Sequence, residues 1–157
     1  MKKTLTMLTA VMVLYSCQQP SNELTDADRN SIKEEIKKVT YSIYESGNRK
    51  DLVQLYSNFS DKTTGIFSGT IMESWEQHKQ QAPNFFESQK ELVYKIENMS
   101  VDVLSRDAAV CYGKYTMTAT DTAGTTINTN PAWTYVFTKE KDKWKIIHFH
   151  ISDTPKE

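Results

Sequence analysis

Three histidines and two cysteines are the side chains of this chain best suited to metal or nucleophilic chemistry, and two of the histidines nearly touch in sequence. "KWKIIHFHIS", Lys143 to Ser152, carries His148 and His150 one residue apart, with Ser152 just beyond. Such a pair could hold a metal ion or activate the serine. A metal centre needs three or four ligands, and only His78 is left, with no carboxylate pattern beside it, so no metal is expected. Alternation along a strand puts Trp144, Ile146, His148, His150 and Ser152 on one face and Ile147, Phe149 and Ile151 on the other. The second set is wholly apolar and is expected to face inward. That sends the histidines to the outer face, with Trp144, as structural or interface residues. Cys111, in the apolar stretch "AAVCYG", reads as a small buried hydrophobe rather than a nucleophile.

The frame that must position these residues is one domain. The chain has 157 residues, a formal net charge of -1, 25% charged and 38% hydrophobic residues. That supplies enough apolar volume for a core and no general attraction to nucleic acid, which is not expected as a partner. No cofactor is expected either. The N-terminus stands apart. "MKKTLTMLTAVMVLYSC" places Lys2 and Lys3 before an uncharged, mostly apolar run from Thr4 to Tyr15, the layout of a secretory signal. It ends in "LYSC", which resembles the bacterial lipobox, with Leu14 and small Ser16 ahead of Cys17. The resemblance implies cleavage before Cys17, acylation of its sulfur, and anchoring to an envelope membrane by several acyl chains. Gln18 is not the aspartate that retains lipoproteins on the inner membrane in some bacteria, so the outer membrane is preferred. The expected division is a signal peptide over 1–16, a polar tether over 17–27, and a folded domain over 28–153.

Within that domain Ile32, Ile36, Val39 and Ile43 recur at helical spacing, with Thr25 or Asp26 available as the cap. "KDLVQLYSNF" suits a short second helix, and "TTGIFSGTIME" a hairpin about its glycine turn. "SWEQHKQQAPNFFE" reads as a helix capped by Ser74 and broken before Pro83. Everything later is rich in β-branched and aromatic residues, with turns at "SRD", "DTAG" and "EKD" short enough for a meander. The fold class is therefore α+β: a curved, mostly antiparallel sheet wrapped as a cone around the N-terminal helices, with a pocket at its open end.

This order of elements resembles the nuclear transport factor 2-like (NTF2-like), or SnoaL-like, superfamily. "DKWKIIHFHIS" is similar to the last strand of the association (hub) domain of calcium/calmodulin-dependent protein kinase II. The likeness runs back through "AAVCYGKYTMTATDTAG", "MESWEQHK" and "YESGNRKD". It implies self-association through the outer sheet face, with Trp144, His148 and His150 as interface candidates. It also implies a pocket in which cationic and aromatic groups bind small carboxylates. Matched by position, His78 corresponds to a pocket histidine and Lys114 to a pocket arginine, while Tyr135 and Ile151 stand where the hub has two further arginines. The expected pocket thus comprises His78, Lys114, Tyr135, Phe149 and Ile151, with Lys114 the anchor for an organic acid. The superfamily also contains ketosteroid isomerases, whose chemistry needs a carboxylate base facing acid or tyrosine donors in an apolar cavity. Asp61 and Asp102 are candidate bases, and Tyr41, Tyr56, Tyr112 and Tyr135 candidate donors; spacing alone puts no pair of them on one wall. A non-catalytic binding or assembly module leads, and an isomerase, hydratase or cyclase is the alternative.

Overall fold

The computed structural model describes residues 23–72 and 74–153; the signal-like segment and Cys17 lie outside the described residues. Helix α1, Asp26–Asn48, starts at Thr25, whose hydroxyl accepts from the Asp28 N–H while the Asp28 carboxylate accepts from the Thr25 N–H. This reciprocal cap satisfies two of the free donors at a helix start. The predicted helical stripe is the buried one, with Ile32, Ile36, Thr40, Ile43 and Tyr44 turned to the sheet. A short α2, Leu52–Tyr56, follows, capped by Asp51. Among the described residues no helix is long and apolar enough to cross a membrane.

Strands β1 (Phe59–Phe67) and β2 (Thr70–Met72) form a hairpin about Ser68 and Gly69, both at positive φ, as a two-residue type I′ turn requires. Helix α3, Trp75–Ser88, is capped by Ser74 but continues through Pro83, against the predicted break. Beyond the proline, Phe86 packs with Leu92 and Ala119, and that burial offsets the lost backbone hydrogen bond. Then come β3 (Gln89–Val103), β4 (Ala108–Asp121), β5 (Thr126–Thr129), β6 (Ala132–Glu140) and β7 (Lys143–Ser152). The sheet order is β2-β1-β7-β6-β4-β3, with β5 pairing the far half of β4. The meander is antiparallel, and β1 joins it parallel to β7.

Of the four register shifts in this sheet among the described residues, two bear on the predicted site. Between β3 and β4 the register jumps at Glu97, from Ile96↔Tyr115 to Asn98↔Lys114, and Gly113 lies directly under the bulged backbone. Bulges with glycine are how long strands bend, and these two strands bend around α1. In β7 the register runs from Val136↔His148 to Phe137↔Ile146, leaving Ile147 as the extra residue. This bulge corrects the predicted faces. Alternation holds on either side of it but reverses across it, so Trp144 and Ile146 point inward together with Phe149. Trp144 is therefore a core residue, not an outer-face one. Its ring packs within the main cluster, its Nε1 donates to Glu35 Oε2 of α1 at 2.7 Å, and Lys139 Nζ sits 5.0 Å from the ring centre.

His148 and His150 do lie on the outer face. Cross-strand rows there run Ile66, His150, Thr134, Tyr112, Ser100 and Thr64, His148, Val136, Val110, Asp102. His148 Nδ1 is 2.9 Å from Thr64 Oγ1, and His150 is exposed. Cys111 is fully buried beside Thr40, and burial pushes its thiol up to about 11.

Candidate ligand-binding cavity

The open end of the cone holds a cavity of about 620 Å³. Its floor is aromatic. Tyr44 of α1 meets Tyr115 of β4 with ring centres 5.1 Å apart, and Tyr94 of β3 and Tyr135 of β6 complete the group. Tyr135 Oη donates to Tyr44 Oη at 3.4 Å. Each ring is placed by element geometry: Tyr44 shares the buried helical stripe with Thr40, and Tyr115 shares the inward parity of Ala109 and Cys111.

The side wall joins α3 to β7. His78 lies flat on Trp75, ring centres 5.0 Å apart, and 5.9 Å from Phe149. Phe59 also stacks on Trp75, with ring centres 4.5 Å apart. Phe149 itself lies across Gly65 of the neighbouring strand, where a Cβ would come within 2.4 Å of its ring. Ile151 continues the wall toward the mouth, where Phe67, Phe85 and Ile127 are partly exposed and Asp153 adds a carboxylate.

Of the five residues predicted for the pocket, the structure brings together His78, Tyr135, Phe149 and Ile151. Lys114 is not among them. It follows Gly113 on an unbroken stretch of β4 whose inward residues are Cys111 and Tyr115, so its side chain is exposed on the outer face. The expected acid anchor is absent for that reason, and no lysine or arginine lines the cavity among the described residues. Asp61 and Asp102 are likewise exposed and away from it, as are Tyr41 and Tyr112; only Tyr56 and Tyr135 of the candidate donors reach the wall. Tyr44, Tyr94, Tyr115 and Asp153 are cavity residues that the sequence reading did not select.

Burial sets the protonation of this site. Desolvation lowers the pKa of His78, which favours neutral imidazole. Desolvation also raises the phenols of Tyr44, Tyr94 and Tyr115, and takes Tyr135 up to about 12. The tyrosines therefore face the cavity as neutral hydroxyls that donate and accept, not as bases. Tyr56 and Thr129 line the cavity through other atoms, and their hydroxyls, Tyr56 Oη and Thr129 Oγ1, are closed off behind it without a partner among the described residues.

Comparison with known proteins agrees with this geometry. The family profile of the calcium/calmodulin dependent protein kinase II association domain matches residues 32–155. No curated protein matches the sequence. Among solved structures, the association domain of C. elegans CaMKII superposes with a TM-score of 0.65 at 19% identity, over 82% of this chain and 99% of that one. An NTF2-like superfamily protein from Salmonella enterica gives 0.71 at 23% identity, over 82% and 94%. The hexachlorocyclohexane dehydrochlorinase LinA-type3 from Novosphingobium barchaimii gives 0.72 at 13%, over 83% and 92%. At these identities the structures speak for the fold, and the profile for the family. The chain belongs to the calcium/calmodulin dependent protein kinase II association domain family and has the NTF2-like α+β fold.

Proposed function

We propose that this protein is a non-catalytic small-molecule-binding and assembly module, held on a bacterial envelope membrane through lipidated Cys17. The observation that carries the binding reading is the cavity itself: mostly apolar walls, a few convergent hydroxyls, and a size typical of small-molecule sites. The acid–base reading has less support. Its candidate carboxylates, Asp61 and Asp102, lie outside the cavity, and His78 stacks on Trp75 without a carboxylate among its hydrogen-bond partners in the described residues. Family membership supports self-association, and the outer rows around His148 and His150 supply a half-apolar surface for it. The anchor rests on "LYSC" behind its apolar run.

Native mass spectrometry of protein purified without denaturation tests binding and assembly together. A dimer or larger species, with a retained or added small molecule, is expected. Replacing both outer histidines, His148→Asp with His150→Asp, places like charges across a self-associated interface and is expected to shift the species to monomer. A wild-type monomer at tens of micromolar (roughly the range of a weak interface) would overturn assembly.

The anchor has its own test. Cys17→Ser is expected to leave the domain folded, remove the acyl mass and move the protein out of the membrane fraction. Unchanged fractionation of this variant would overturn the lipoprotein reading.

A further inference from the structure

Within the binding reading just given, and resting on it, the charge and hydrogen-bond inventory of the cavity narrows the ligand class. We propose that the cavity selects uncharged ligands, an apolar or aromatic body bearing a hydroxyl, carbonyl or amine, and excludes carboxylates and other anions.

The charge argument comes first. The single ionised group on the wall among the described residues is the Asp153 carboxylate at the mouth, and no lysine or arginine stands opposite it. An anion entering this cavity would leave water, gain no counter-charge, and approach a like charge as it crossed the rim. His78 does not repair this, because its ring lies against Trp75 and Phe149 in a setting that favours the neutral form.

Hydrogen bonding points the same way. Tyr44, Tyr94 and Tyr115 line the wall with neutral phenols, and the cavity offers dipoles of this kind rather than a full charge. The Tyr44 hydroxyl accepts from Tyr135, which leaves its own hydrogen free to donate. Hydroxyls of this kind pair with a neutral carbonyl, hydroxyl or amine, giving or taking one hydrogen bond as the ligand requires. They are dipoles, sufficient for another dipole and insufficient to replace the water around a full charge.

Passage to the interior is apolar as well. Phe67, Phe85 and Ile127 remain 46%, 37% and 48% exposed at the mouth, a surface suited to an apolar body and of no use to a charged one.

Two fluorescent probes with one skeleton separate the possibilities. N-phenyl-1-naphthylamine is neutral and carries a single N–H; 8-anilino-1-naphthalenesulfonate is the same molecule with a sulfonate. Titrated into the full-length processed protein at neutral pH, the amine is expected to bind at least about tenfold more tightly than the sulfonate. Ala82→Trp, which fills the cavity from α3, is expected to abolish that binding. Because the amine is also the more apolar probe, a gain-of-charge variant is required. Ile151→Arg puts a cation on the half-buried wall near the mouth and is expected to invert the preference toward the sulfonate.

The outcomes are distinct. If the sulfonate binds wild type as tightly as the amine, and Ala82→Trp abolishes both, the binding reading stands and the exclusion of anions is overturned. If Ile151→Arg leaves the preference unchanged, charge does not set it and this proposal is again overturned. If neither probe responds to Ala82→Trp, small-molecule binding itself fails and takes the ligand class with it.

Discussion

Gly113→Ala is expected to destabilise the domain by about 3 kcal/mol or more, enough to leave a protein of ordinary marginal stability largely unfolded. The reason is contact with backbone. A Cβ at residue 113 would sit 2.1 Å from the carbonyl oxygen of Asn98 and 3.1 Å from Met99 Cα. Neither can rotate away, because the bulge at Glu97 and thirteen residue pairs between β3 and β4 hold the two strands together. Relief would require separating strands at the point where they bend around α1. Urea denaturation followed by circular dichroism checks this. A midpoint equal to that of wild type would mean that the bulge relaxes freely and that the close approach does not constrain the sheet.

Trp144→Ala is expected to cost roughly 3–5 kcal/mol, the usual range for removing a buried large aromatic side chain. The ring is 6% exposed within the main cluster, and its N–H holds Glu35 of α1 at 2.7 Å. Trp144→Phe, which keeps most of the apolar surface but loses the hydrogen bond, should fall between the two. Chemical denaturation reads stability, and sedimentation of the phenylalanine variant reads association. An interface tryptophan would behave in the opposite way, with the folded monomer intact and self-association lost.

Much of the fold was legible because it rests on local periodicity. Ile32, Ile36 and Ile43 mark the buried stripe of α1, Thr25 and Ser74 mark helix starts, and short polar turns divide the meander. The bulge in β7 was not legible. "WKIIHF" has two apolar residues and one polar residue in either phase, so nothing in it marks Ile147 as the residue where parity reverses, and the pairing partner that forces the reversal lies on another strand. Lys114 was misplaced for a different reason. Its family position implies the pocket, whereas strand alternation from buried Cys111 puts residue 114 on the outer face. Pro83 shows tertiary packing overriding a local breaker, through Phe86. The tyrosine floor is long-range by nature. Tyr44, Tyr94, Tyr115 and Tyr135 come from four elements, and no spacing within any one of them announces the meeting.

The parallel union of β1 with β7 governs the order in which the domain can be built. Thr64 and His148 touch across 84 positions of chain, and β7 is both the last element among the described residues and an interior strand of the sheet. During synthesis α1 can nucleate and β3, β4, β5 and β6 can pair as they emerge, since the segments joining each to the next are short. The β1–β2 hairpin must wait for β7 before it joins the sheet. Loop closure of that length is slow, and until it occurs the free edge of β6 and the open edge of β1 invite pairing with other chains. The cavity is complete only at that step, because its side wall joins α3 to β7. Whatever occupies it therefore stabilises the finished domain and cannot template the early stages of its making.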